Sequence, residues 1–285
     1  MTMRLAGRLV AVALVLVVSV PVLGQRGRGG GPPQPPQSPQ ASAPIDLTGH
    51  WVAIVNEDWR WRMVTPPPKD YPSVPLNAEG RKIADAWDVS KDGSCLAYGA
   101  AGLMRLPTRL RISWESESVL RVETDNGQQI RRLLFDRSVA PPAERSLQGF
   151  SIAEWERPGR GGGRGGFGRF GGPPPGGGGG AASGGGAPPT GAGRAAGQAP
   201  NQGPGHLKVV TTKLSGGWLR RNGVPYSEDA TLTEYYDRFP VGDQPWLAIT
   251  TIVSDPKYLT QDFVTSSQFR REPDGARWDP VACKP

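Results

Sequence analysis

Apolar and polar positions alternate through most of this chain, and the alternation divides it into many short strands and one helix. The clearest run lies near the C-terminus. Residues 207–214 are rich in Val and Thr, residues 230–239 carry Thr, Leu and paired Tyr, and residues 246–253 are nearly continuous β-branched and aromatic sequence. Residues 263–271 close the run. Each segment has strand length and ends in Gly, Pro, Asn, Asp or Ser. No helical periodicity separates them, so they are expected to be antiparallel neighbours joined by turns.

The same pattern continues upstream. The folded part is expected to begin at Asp46, and residues 46–52 lead into a first strand predicted over 53–55. In residues 57–63, Glu57, Trp59, Trp61 and Met63 alternate with Asp58, Arg60 and Arg62, which predicts a second strand with one aromatic and one charged face. The proline-rich residues 65–75 are a loop. Asn77 is placed to cap a helix through Trp87, on which Ile83 and Trp87 share a face and Gly80 is a weak point. A meander follows, with Leu110, Ile112 and Trp114 on one face, then Leu120, Val122 and Thr124, then a return strand over 128–135. Asp125-Asn126-Gly127 signals a type I′ hairpin between the last two. Residues 147–156 add another strand. The expected fold is mainly β: an antiparallel barrel or sandwich of about 8–10 strands with one short helix.

Composition changes this picture at two places. Gly (40) and Pro (30) are concentrated in residues 25–45 and 158–205, which have almost nothing apolar to bury and are expected to be disordered. Because loop closure costs grow only logarithmically, residues 46–157 and 206–285 are expected to form a single domain around the insert. A meander ending at Glu156 would otherwise leave an unpaired edge. Residues 1–24 read as a cleaved export signal: arginines, an apolar run of about a dozen residues, and Gly24 before the cut. A retained anchor is the rival reading. Eight of the arginines behind the net charge of +7 lie in the leader and the two tracts, so the folded part is left near −1. That argues against a basic nucleic-acid-binding face on the domain. The Arg-Gly-Gly repeats after Arg160 suit contact with acidic envelope polymers better than RNA.

Several short stretches resemble a group of uncharacterised exported bacterial proteins. They are Asp46-Leu-Thr-Gly-His-Trp, Glu57-Asp58-Trp59-Arg60, Cys95 with Tyr98-Gly99, Arg220-Arg221-Asn222-Gly223-Val224-Pro225-Tyr226, Thr233-Glu234-Tyr235-Tyr236-Asp237-Arg238 and Asp255-Pro256-Lys257-Tyr258-Leu259-Thr260. Thr48-Gly49-His50-Trp51 also resembles the Gly-X-Trp start of lipocalin-like barrels. That resemblance implies a small-ligand barrel in which Trp51 is closed over by Arg270 or Arg271. The helix here follows the first strands instead of lying near the C-terminus, which departs from that pattern.

Candidate chemistry is sparse. His50 and His206 have no partners at metal-ligand spacing, so neither a metal nor a cofactor is expected. No serine sits in a nucleophile elbow. Glu154, Glu156 and Glu234 lie among aromatics, where a facing pair would do acid–base work, while pairing with arginine is the plainer reading. Cys95 and Cys283, the two cysteines of an exported chain, are expected to pair. All nine Trp lie outside the leader and the tracts. The expected ligand site draws on Trp59, Trp61, Arg62, Trp218, Glu234 and Tyr236, with an apolar or amphipathic small molecule bound inside the barrel. The alternatives are an envelope-associated structural protein without a cavity and a carboxylate-dependent hydrolase.

Overall fold

A computed structural model describes residues 36–90, 92, 95–157 and 205–283. The expected export signal, the first part of the tether and nearly all of the Gly/Pro-rich insert lie outside the described residues. Nine strands close into a barrel: β1 (Gly49–Ile54), β2 (Arg109–Ser116), β3 (Val119–Thr124), β5 (Ile130–Leu134), β6 (Phe150–Glu156), β7 (His206–Thr212), β10 (Thr231–Val241), β11 (Gln244–Ser254) and β12 (Phe263–Glu272). Their order around the ring is β1-β12-β11-β10-β7-β6-β5-β3-β2, and β1 bonds to β2 to complete it. Two small sheets sit outside the ring: β4 (Asn126–Gly127) with β13 (Val281–Ala282), and β8 (Gly217–Arg220) with β9 (Val224–Tyr226). All of these elements belong to one compact unit that begins at Gln37.

The antiparallel expectation holds for every pair in the ring except one. Strands β5 and β6 run parallel over Leu133↔Ser151 and Leu134↔Ile152. The reason is parity: directions cannot alternate around a closed ring with an odd number of strands, so at least one neighbouring pair must agree. The long connection over residues 135–149 supplies the crossover that a parallel step requires.

The barrel interior is filled. On successive strands the inward positions are Trp51, then Leu110 and Ile112, Leu120 and Val122, Leu133, Ala153, Leu207 and Val209, Tyr236, Leu247 and Ile249, and Phe269, all fully buried in one cluster. The alternation of the sequence is thus a real inside–outside code. A second apolar cluster joins the row Leu232, Val253 and Phe263 to Leu76, Ala84, Leu219, Val224 and Tyr226. It packs α2 (Ala78–Asp85) and the β8–β9 hairpin over that end of the ring.

Helix α2 starts where Asn77 predicts: its side chain accepts the amide of Gly80 at 2.9 Å. Gly80 weakens the helix but admits a neighbour, since a Cβ there would lie 2.7 Å from the carbonyl oxygen of Tyr258. Residues 57–63 are a correction. They form not a strand but a one-turn helix, α1 (Trp59–Arg62), with the amide of Met63 bonding the Trp59 carbonyl at 2.8 Å. Seven alternating residues cannot distinguish a strand from one helical turn. Here ion pairs decide, Arg60 to Asp70 at 2.6 Å and Arg105 to Asp58 at 2.8 Å. A second one-turn helix, α3 (Ala100–Leu103), was not anticipated. In the Asn-Gly hairpin, positive φ falls on Gly127 and Gln128, one residue later than a type I′ turn on Asn126-Gly127 would place it.

The last residues of the expected tether are laid against the barrel. Trp155 donates its indole N–H to the carbonyl of Pro39 at 2.9 Å, and the amide of Gln40 bonds Glu117 at 3.1 Å. Trp155, Phe135 and Trp114 stack in series beneath, with ring centroids 5.4 and 5.5 Å apart. Cys95 and Cys283 form a disulfide.

Strands β6 and β7 flank the insert and pair antiparallel down to Glu156↔His206. Their ends are therefore already in hairpin register. Replacing residues 158–204 with a turn of about two to five residues is expected to keep the cooperative thermal transition. Its disappearance in calorimetry would show that the insert contributes to the fold.

Candidate functional site

The six residues expected to share a ligand site are distributed over three places. Glu234 and Tyr236 point inward from β10 and are fully buried. Glu234 forms a two-pronged pair with Arg131 of β5, Nη1 to Oε1 at 2.9 Å and Nη2 to Oε2 at 2.6 Å, and both side chains are 0% exposed. Arg131 also donates to Thr211 Oγ1 at 3.1 Å, which in turn shares a hydrogen bond of 2.8 Å with Ser151. Burial would lower the pKa of Arg131, but the carboxylate of Glu234 overrides it and holds the guanidinium protonated. Burial pushes the Tyr236 phenol far up, so it stays neutral. This network ties together four neighbouring strands of the ring, β5, β6, β7 and β10, from the inside.

The other carboxylates lie elsewhere. Glu154 pairs with Arg137 and lies 3.6 Å from Lys208; Glu156 bonds His206 at 2.9 Å and Lys208 at 3.1 Å on the outer face. Neither faces Glu234 across a cavity. Among the described residues, no group of three or more His, Cys, Asp or Glu is gathered as metal ligands would be.

Trp59, Trp61 and Arg62 follow one another on α1 but face different ways. Trp59 is 64% exposed. Trp61 is half-buried, with the guanidinium of Arg220 stacked 4.8 Å from its ring. Arg62 is the buried member, its Nε donating to the Arg105 carbonyl at 2.9 Å. Of the expected aromatic face, Trp59 and Met63 are exposed, while Trp61 is partly covered.

Trp218 stands in a separate groove outside the barrel. Its walls are Ile83 and Trp87 from α2 and the residues after it, Leu96, and Trp218 from β8; its volume is about 670 Å³. Glu79, Asp88 and Asp92 form an acidic rim with Lys82 between them. The two indoles are held by one carboxylate, Asp92, which accepts Trp87 Nε1 at 2.6 Å and Trp218 Nε1 at 3.5 Å. The i,i+4 face that Ile83 and Trp87 share is therefore the groove wall, not core. That pairing, together with Asp88 and Asp92, was the available signal for Trp87, which sequence reasoning left out of the site. Two rings that share a carboxylate partner line an apolar cleft with polar groups at its margin, the usual composition of a small-molecule site.

The first and last barrel strands meet at Trp51. It pairs with Arg271 in the β1–β12 register, and the Arg271 guanidinium lies 5.1 Å from the indole centroid. Trp51 Nε1 donates to the Leu47 carbonyl at 2.9 Å. Gly49 is required beside them. Its φ is +113°, and a Cβ would lie 2.3 Å from Arg271 Nη2. Arg270, one residue earlier, faces solvent. Comparison with protein-family models, curated proteins and solved structures finds no match to this chain.

Proposed function

We propose that this is an exported, lipocalin-like barrel protein that binds an apolar or amphipathic small molecule in the groove between α2 and β8, outside a filled barrel. The observation that carries the reading is the pair of indoles, Trp87 and Trp218, presented across an open apolar cleft and oriented by Asp92. The closure of Trp51 by Arg271 supports the lipocalin-like kinship, while the filled interior and the parallel β5–β6 step depart from it. The Cys95–Cys283 disulfide supports an oxidising, exported compartment. The acidic rim favours ligands that carry a cationic or hydrogen-bond-donating end.

Nile red, a neutral apolar dye, tests the groove. Titration followed by dye and Trp fluorescence is expected to give saturable binding, weakened roughly tenfold or more in Trp218→Ala, as loss of one stacked aromatic wall implies. Trp59→Ala should leave the curve unchanged. Native mass spectrometry of protein purified from its own compartment supplies the independent reading. No saturable binding below about millimolar and no co-purified ligand would leave the envelope-associated structural role, which the filled barrel also suits.

A further inference from the structure

A cluster of arginines beside the β8–β9 hairpin lacks the acidic partners that such burial demands. Arg60 is paired with Asp70, and Arg105 with Asp58. Arg62, Arg220 and Arg221 have no carboxylate within ion-pair distance among the described residues. Arg62 is 2% exposed and Arg220 4%. Arg62 gives its Nε to the Arg105 carbonyl at 2.9 Å and leaves both Nη1 and Nη2 buried without an acceptor. Arg220 gives Nη2 to Ser73 Oγ at 2.5 Å and leaves Nε and Nη1 in the same condition. Arg221 donates Nη2 to the Arg62 carbonyl at 2.8 Å and has a buried, unmatched Nε.

These side chains form one group. Arg221 reaches the backbone of Arg62, Arg220 is stacked on Trp61 next to Arg62, and Arg62 bonds the backbone of Arg105. Burial, reinforced by the charge of Arg105, pulls both Arg62 and Arg220 down to about 10, against the opposing pull of Asp58 on both, of Glu57 on Arg62 and of Asp70 on Arg220, none of them within ion-pair distance. Protonated guanidinium groups with empty, buried donor edges are strongly disfavoured unless something supplies acceptors and negative charge. Water can supply acceptors but no charge. A tetrahedral oxyanion supplies both, and the planar guanidinium fork fits it in two-pronged fashion.

We propose that Arg62 and Arg220, with Arg105 and Arg221 beside them and Trp61 as a wall, form a binding site for a small oxyanion of the phosphate or sulfate class. The site is separate from the groove, whose walls include none of these arginines.

The test is calorimetry on full-length protein refolded in buffer free of phosphate and sulfate. Inorganic phosphate, sulfate and chloride are then added at matched ionic strength. Phosphate or sulfate is expected to raise Tm by several degrees over chloride, and the half-saturating concentration should rise at least tenfold in Arg62→Met and in Arg220→Met. Arg132→Met, at an exposed arginine paired with Glu115, should respond as the wild type does. If either cluster variant fails to fold, the three-anion comparison on the wild type still decides. Phosphate, sulfate and chloride curves that superpose at equal ionic strength would overturn the proposal.

Discussion

Replacing Glu234 with leucine is expected to lower the unfolding free energy by about 3–5 kcal/mol. The residue is an ordinary member of the inward row of β10, between Leu232 and Tyr236, and its carboxylate is the sole ion-pair partner of Arg131 among the described residues. Without it, a fully buried guanidinium faces the apolar cluster with only Thr211 as an acceptor. Arg131→Met alone should be similarly costly, because it strands the carboxylate. The double variant Arg131→Met/Glu234→Leu should recover most of the loss, since well-packed apolar replacements of buried pairs are often neutral or better. Urea unfolding of the four proteins gives the coupling directly. Additive losses would mean that the pair is not the closed unit described above.

The second large effect is at the disulfide. Cys95 and Cys283 are 188 residues apart, so the bridge closes a very long loop in the unfolded chain. The chain-entropy view assigns it about 5 kcal/mol. In the folded protein it also fastens the C-terminal strand β13, which lies parallel to β4 at Asn126–Gly127, and the neighbouring Trp278, whose ring carries the Arg111 guanidinium at 5.1 Å. The double variant Cys95→Ser/Cys283→Ser should therefore unfold at markedly lower denaturant and show early hydrogen exchange at Val281. A midpoint unchanged from the wild type would mean that the tail contacts hold without the bridge.

Much of the barrel was legible because its strands obey strict alternation over an apolar core. Leu110 and Ile112, Leu120 and Val122, Leu207 and Val209, and Leu247 and Ile249 all announce an inward face. The disulfide was legible because only two cysteines exist. What was not legible depends on partners distant in sequence. For Glu234 an arginine partner was the plainer reading, but that the partner is Arg131, inside the barrel, shows only when β5 and β10 are placed in the ring. Trp59-Arg60-Trp61-Arg62 carries both a period of two and a plausible helical turn, and Asp58, Asp70 and Arg105 make the choice. Strand direction leaves no trace in alternation, so the parallel β5–β6 step emerges only from the count of strands in the closed ring. The arginine cluster gathers residues from α1, the chain before β2, and the β8–β9 hairpin, which no spacing rule connects. The shared face of Ile83 and Trp87 was legible on α2, but the same spacing serves a core or a groove wall, and only the surrounding elements decide between them.

The central claim is that the ligand surface lies outside a filled barrel. The most direct measurement is a two-dimensional spectrum of the indole N–H groups, nine in all, recorded during titration with Nile red. The account predicts that the signals of Trp87 and Trp218 shift together and saturate, while that of Trp51, sealed between Leu47 and Arg271 inside the ring, stays in place. A saturating shift of Trp51 with Trp87 and Trp218 unmoved would contradict it, because the dye would then have entered the barrel.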